Sequence, residues 1–123
     1  MKSQFQIKKD YDFQSDILYL RIVDDYRYKE SLENGNNLIL DFDNHYRPVA
    51  VEILDTSKVL NISKYSLQTN FNLDMEISVG EDLIAVRAQF VLSLHQKRIP
   101  IVKDFRTLND IHLPSQEVGL VME

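Results

Sequence analysis

Between residues 72 and 94 almost every second residue is apolar. Leu73, Met75, Ile77 and Val79 alternate without a break with Asn72, Asp74, Glu76 and Ser78. After Gly80-Glu81-Asp82 the pattern resumes, with Ile84, Val86, Ala88, Phe90, Leu92 and Leu94 set against Ala85, Arg87, Gln89, Ser93 and His95. A period of two is the period of a β-strand, whose side chains point to opposite faces in turn. The segment therefore predicts two antiparallel strands joined by a short turn, each with one covered face. Gln96-Lys97-Arg98 turns the chain again, and residues 99–105 form a third strand. Pro100 has no amide hydrogen, so that strand belongs at an edge or with its proline amide facing outward. Residues 72–106 thus read as an antiparallel meander.

The first half is less regular. Phe5 and Ile7 alternate with polar neighbours and predict a short strand. Residues 9–15 are polar and read as a turn. Residues 17–23 (Ile-Leu-Tyr-Leu-Arg-Ile-Val) are apolar at nearly every position, which predicts a central strand covered on both faces. A short edge strand fits around residues 26–30. Residues 38–43 and 47–54 flank Asn44-His45-Tyr46 and predict a β-hairpin. With Asp43 opposite Arg47, the register places Asp41 opposite Val49 and Leu38 opposite Glu52, so Glu52 falls on the far face from Asp41 and Asp43. Asp55 stands where a carboxylate cap would open a helix through Thr56, Val59 and Leu60. Its extent past Asn61 stays open. Leu108, Ile111 and Leu113 suit a short turn or loop, and residues 118–122 a last strand. The expected fold is mainly β (α+β): one domain over 1–123, an antiparallel sheet or two packed β layers built from hairpins, with one short helix after residue 55.

Two strings in the first half resemble a known family. Tyr11-Asp12-Phe13-Gln14-Ser15-Asp16-Ile17-Leu18-Tyr19 is similar to the opening of the small prokaryotic family called domain of unknown function 2283. Leu40-Asp41-Phe42-Asp43, followed by Val51-Glu52-Ile53-Leu54-Asp55-Thr56-Ser57, resembles its second block. The resemblance spans about residues 10–60. The matching positions include Tyr11, Asp12, Asp16, Tyr19, Asp41, Asp43, Glu52 and Asp55. Tyr46 and Ala50 depart from it, standing where the family habitually has glycine. The resemblance implies a small antiparallel sheet with a helix, no assigned activity, and an association with small partner proteins of the toxin–antitoxin kind.

Composition removes several chemistries. There is no cysteine, so disulfides, thiolate metal sites and cysteine nucleophiles are out. Three glycines do not make a phosphate-cradling loop, and no serine sits in a Gly-X-Ser-X-Gly setting. His45, His95 and His112 share no metal-ligand spacing. No basic start with an apolar run marks a secretion signal, and no apolar stretch reaches the roughly 20 residues of a membrane helix. A soluble, cytoplasmic protein without a cofactor is the expectation.

The charge is uneven, although the net value is only −5. Residues 10–55 hold eleven acids against four bases, and residues 86–106 hold five bases against one acid. On the acidic side, Asp41 and Asp43 are candidate ligands for a hard cation, which would make a metal binder or a small metal-dependent enzyme. No catalytic residue is assigned, and an enzyme is the lesser expectation. Glu52 interrupts an apolar strand and calls for a partner such as Arg21 or Arg87, or else acts as a base. On the basic side, Arg87, Lys97, Arg98, Lys103 and Arg106 form a candidate patch for an acidic protein surface or, less favourably, nucleic acid. Exposed strand edges need covering. The leading expectation is therefore a non-enzymatic interaction module, either a homodimer joined by sheet extension across residues 83–94 or 99–105, or the partner of another small protein.

Overall fold

In the computed structural model, which describes residues 2–35 and 37–122, nine strands join one continuous sheet. They are β1 (Lys2–Asp12), β2 (Ile17–Ile22), β3 (Tyr28–Asn34), β4 (Leu38–Asp43), β5 (Pro48–Ile53), β6 (Asn72–Val79), β7 (Leu83–Leu94), β8 (Lys97–Leu108) and β9 (Gln116–Met122). Two short helices, α1 (Thr56–Leu60) and α2 (Lys64–Gln68), link β5 to β6. The spatial order is β3-β4-β5-β2-β1-β9-β6-β7-β8.

The mainly β class agrees with the expectation from sequence, but a purely antiparallel sheet does not. β1 and β9 run parallel, with Phe5 beside Leu120 and Ile7 beside Met122. Every other neighbouring pair is antiparallel. Hairpins force adjacent strands to alternate in direction. β1 and β9 are joined by the whole intervening chain, so no hairpin fixes their relative direction. They form the seam between the two halves. The alternative of two packed layers gives way to a single sheet that curls until its end strands, β3 and β8, approach each other.

The curl encloses one core. Ile7, Leu18, Leu20, Leu40, Phe42, Ile53, Leu73, Met75, Ile77, Val86, Phe90 and Leu120 are all essentially inaccessible, and Leu60 and Leu67 from the helices join them. β6 and β7 bury the residues that their alternation picks out. β2 does not behave as expected. Leu18, Leu20 and Ile22 are buried, but Tyr19 and Arg21 are exposed, so only one face is covered. Among the described residues no second layer lies over the outer face there. Residues 9–12, expected in a turn, extend β1 instead, because Lys9 and Tyr11 pair with Leu20 and Leu18.

There are two helices rather than one. Asn61 takes a left-handed conformation (φ 55°), ends α1 and donates its amide to Lys58 O. Asparagine tolerates that conformation. Ser63 then caps α2 by accepting from the Ser66 amide. At the other end of the sheet, β7 and β8 meet in a two-residue turn with both His95 (φ 51°) and Gln96 (φ 65°) left-handed. This is the turn geometry that matches strand twist.

Candidate functional site

The acidic residues of the first half do three different jobs. Asp16 is 5% exposed and binds two elements together. Its carboxylate accepts from Tyr11 Oη at 2.6 Å, Ser57 N at 3.0 Å and Ser57 Oγ at 2.7 Å. Its carbonyl accepts from the Thr56 amide, and Thr56 Oγ1 in turn accepts from the Leu18 amide. Asp16, reaching over from the β1–β2 turn, therefore satisfies the first turn of α1. Asp55 does not: it is left-handed (φ 51°) and its side chain makes no capping bond. Burial pushes the Asp16 carboxyl up, but the bonds from Ser57 and Tyr11 outweigh it and hold the group below the usual carboxylate value. Asp12 accepts from the Gln14 and Ser15 amides and shapes the turn itself.

Asp43 is a turn residue. Its side chain is fully buried and accepts from the amides of His45 (3.0 Å) and Arg47 (2.9 Å) and from Arg47 Nε (2.9 Å). Against the pull of burial, these bonds lower its pKa. The turn requires a positive φ at Tyr46 (61°), and Gln116 Nε2 holds the Tyr46 carbonyl at 2.6 Å. Asp41 takes other partners: it lies half-buried on the outer face and accepts from Ser31 Oγ at 2.6 Å. The two candidate ligands are thus not brought to one site. Among the described residues, no three of His, Cys, Asp and Glu stand together as a metal cage.

The hairpin register differs from the sequence expectation by one residue. Phe42 pairs with Pro48 but Asp41 pairs with Ala50, so Val49 is an extra residue on β5. The bulge places Glu52 opposite Ile39 and on the same face as Asp41. The opposite-face reading is therefore corrected. Nor does Glu52 pair with Arg21 or Arg87. Among the described residues it has no ion pair, and Arg87 is taken by Asp104 at 2.8 Å. Burial, and then the charge of Asp41, raise the Glu52 pKa.

Around Glu52 the outer face of β1, β2, β4 and β5 sinks into a cleft of about 330 Å³. One row across the strands runs Asp41, Ala50, Arg21, Lys8, and the next runs Ile39, Glu52, Tyr19, Asp10. Ala50 is the floor: the smallest side chain of its row stands between Arg21 and Asp41. Tyr26 also lines the cleft.

The five bases of residues 86–106 do not form one surface. The pairing of β7 with β8 sets Arg87, Arg98 and Arg106 on the outer face and Lys97 and Lys103 on the inner one. Lys103 lines a groove with Asn34, Asp55, Lys58 and Phe105. The outer face also shows Val102 (53% exposed) between Arg87 and Arg98, and Leu83 (48%) and Leu108 (64%) beyond Arg106.

The model of the family described as protein of unknown function (DUF2283) matches residues 8–57. An uncharacterised protein of Methanocaldococcus jannaschii is 31% identical over 119 residues, covering 92% of this chain and 97% of that one. The chain belongs to this family. A second relative, from Methanosarcina mazei and described as a putative hypoxanthine phosphoribosyltransferase, is 28% identical over 113 residues, covering 92% of this chain and 90% of that one. No solved structure matches the chain. Among the described residues no helix is long and apolar enough to cross a membrane.

Every residue that lines the outer cleft lies inside the DUF2283 match, whereas β7 and β8 lie outside it. Sequence reading found Tyr19, Asp41 and Glu52 but missed Lys8 and the role of Ala50. The signal for Lys8 was the period-two alternation of β1 and β2, legible once the two strands are paired, whereas the place of Ala50 emerges only from the pairing of β5 with β2 and β4.

Proposed function

We propose that this DUF2283 protein is a non-enzymatic interaction module that forms a homodimer through the outer face of β7 and β8. The observation that carries this reading is the pattern of that face. Arg87 and Asp104 pair at its centre; Leu83 and Leu108 lie four residues to one side, and Val91 and Pro100 four residues to the other. A twofold axis parallel to the strands and between the two faces would set Leu83 on the partner's Leu108 and Val91 on the partner's Pro100, with Arg87 facing Asp104 in the middle. Such an interface is self-complementary, as a twofold demands.

Joining by sheet extension is less suited. β7 is already flanked by β6 and β8. Counting hydrogen-bonded pairs outward from the two-residue turn, the even-numbered residues of β8 face its free edge, and Pro100 brings no donor there. β3 also approaches that edge. The face of a two-stranded, twelve-residue ribbon is roughly 40 Å by 10 Å. That is roughly 800 Å² over both copies, below the standard size, which fits a weak dimer that forms only at high concentration. The transferase name of the Methanosarcina mazei relative is not carried over, because Gly35, Gly80 and Gly119 stand far apart rather than in one loop.

Sedimentation equilibrium across the micromolar to submillimolar range tests the proposal. The wild type should shift from monomer to dimer, and Leu108→Glu should stay monomeric with an unchanged circular dichroism spectrum. A wild type that remains monomeric throughout, or a variant that dimerises as well as the wild type, would overturn it.

A further inference from the structure

Lys9 breaks the pattern of its own strand. β1 turns its odd-numbered residues inward, and Phe5, Ile7 and Tyr11 of that row pack against the core. Lys9 stands in the same row, directly opposite the buried Leu20. It is half-buried, and its Nζ lies 3.5 Å from the centre of the Phe71 ring. Among the described residues it has no ion pair, and β9 accompanies β1 only as far as Ile7, beside Met122. Past that point a groove of about 380 Å³ runs between β1 and the segment that leaves α2. Leu67 and Phe71, both almost wholly buried, form its apolar wall. Asp10 is the single acid among the lining residues, and Tyr11 donates its hydroxyl to Asp16. An amine on a core-facing row is a conflict between local pattern and fold, and such conflicts concentrate at functional sites.

We propose that this groove captures an aldehyde carrying an apolar group, and that the Lys9 amine joins it covalently as an imine. The neutral nitrogen attacks the carbonyl carbon. The C=O bond is replaced by C=N, and the oxygen leaves as water with both protons of the amine. Only the unprotonated amine attacks, and burial lowers the Lys9 pKa from its ordinary value of 10.5. Leu67 and Phe71 supply the apolar surface beside the nitrogen. Once protonated, the imine keeps a positive charge over the Phe71 ring, where the ammonium already lies. Other lysines lack this setting. Lys2 is paired with Glu76, and Lys97 stands in solvent at the end of the β7–β8 ribbon.

Benzaldehyde with cyanoborohydride is a suitable probe, because the reductant turns each imine into a stable benzylamine that peptide mass mapping locates. At neutral pH the folded protein should be benzylated at Lys9 at least about fivefold faster than at Lys97. The Lys9 rate should level off as benzaldehyde is raised, as capture in a groove requires, while the Lys97 rate rises in proportion. In denaturing urea the preference should vanish. Lys9→Arg should remove the fast site, leave labelling of Lys97 unchanged and keep the circular dichroism spectrum. Labelling at Lys9 that is no faster than at Lys97 would mark a lysine that merely shields Phe71 and would overturn the assignment. So would a Lys9 rate that never saturates, or a preference that survives unfolding. Leu108 does not line the groove, so Leu108→Glu should be labelled like the wild type, and the outcome does not depend on dimerisation.

Discussion

Replacing Asp16 by asparagine tests whether one carboxylate joins the two ends of the DUF2283 match. The substitution keeps the shape, and asparagine still tolerates the left-handed backbone at this position (φ 58°). What changes is the charge and half of the accepting capacity. The native carboxylate receives three bonds, from Tyr11 Oη and from Ser57 N and Oγ, at a site only 5% exposed. A hydrogen bond to a charged group is worth about 1.5–3 kcal/mol, but bonds in one network do not add fully. An amide oxygen in place of Oδ1 keeps the bonds from Tyr11 Oη and Ser57 N but without the charge, and the bond from Ser57 Oγ to Oδ2 is lost, so the expected loss is about 2–4 kcal/mol. For a chain of this size that corresponds to a drop in melting temperature of roughly 6–15 °C. Asp16→Ala should cost about 1 kcal/mol more, because alanine is strained at a positive φ. The loss should also depend on pH in one direction. The folded-state pKa of Asp16 lies below its ordinary value of 3.8. The stabilisation is therefore complete above that value and disappears as pH falls through the folded pKa. Urea denaturation of the wild type, Asp16→Asn, Ser57→Ala and the double variant measures both the loss and the coupling. A loss under about 0.5 kcal/mol, or additive single variants, would refute the idea that Asp16 fastens α1 to the β1–β2 turn.

Three further outcomes follow from the same geometry. Gln96→Gly should stabilise the protein by about 1 kcal/mol, because glycine holds a left-handed turn position without strain; a lower melting temperature would contradict the assigned turn. Asp43→Ala should cost about 3 kcal/mol and Arg47→Ala only about 1–2, because two backbone amides still serve the carboxylate when the guanidinium is gone; chemical denaturation that ranks them the other way would reject the turn-centred role. Glu52→Gln should raise the melting temperature at neutral pH. The folded pKa of Glu52 is raised, so its carboxylate costs stability above that pKa, and the gain should vanish in scans taken below the ordinary value of 4.5.

Alternation over 72–94 determined β6 and β7, their turn and their buried faces, because a half-covered strand repeats its chemistry every two residues. The hairpin of β4 and β5 and the start of α1 were equally local. Sequence also carried the family, through the strings around Tyr11–Tyr19 and Leu40–Ser57. What it did not carry depends on contacts between distant residues. The parallel seam of β1 and β9 joins the two ends of the chain, and no local signal states its direction. One extra residue at Val49 reversed the face of Glu52, since a shift of one moves every side chain to the other side. The same pairing rule divided the five bases between two surfaces and gathered Lys8, Arg21, Asp41 and Glu52 around Ala50. Asp55, correctly placed before a helix, lost its capping role to Asp16, forty-one residues from the Ser57 it binds. Period and propensity act within a few residues, whereas register, direction and partnership are settled only when the sheet closes.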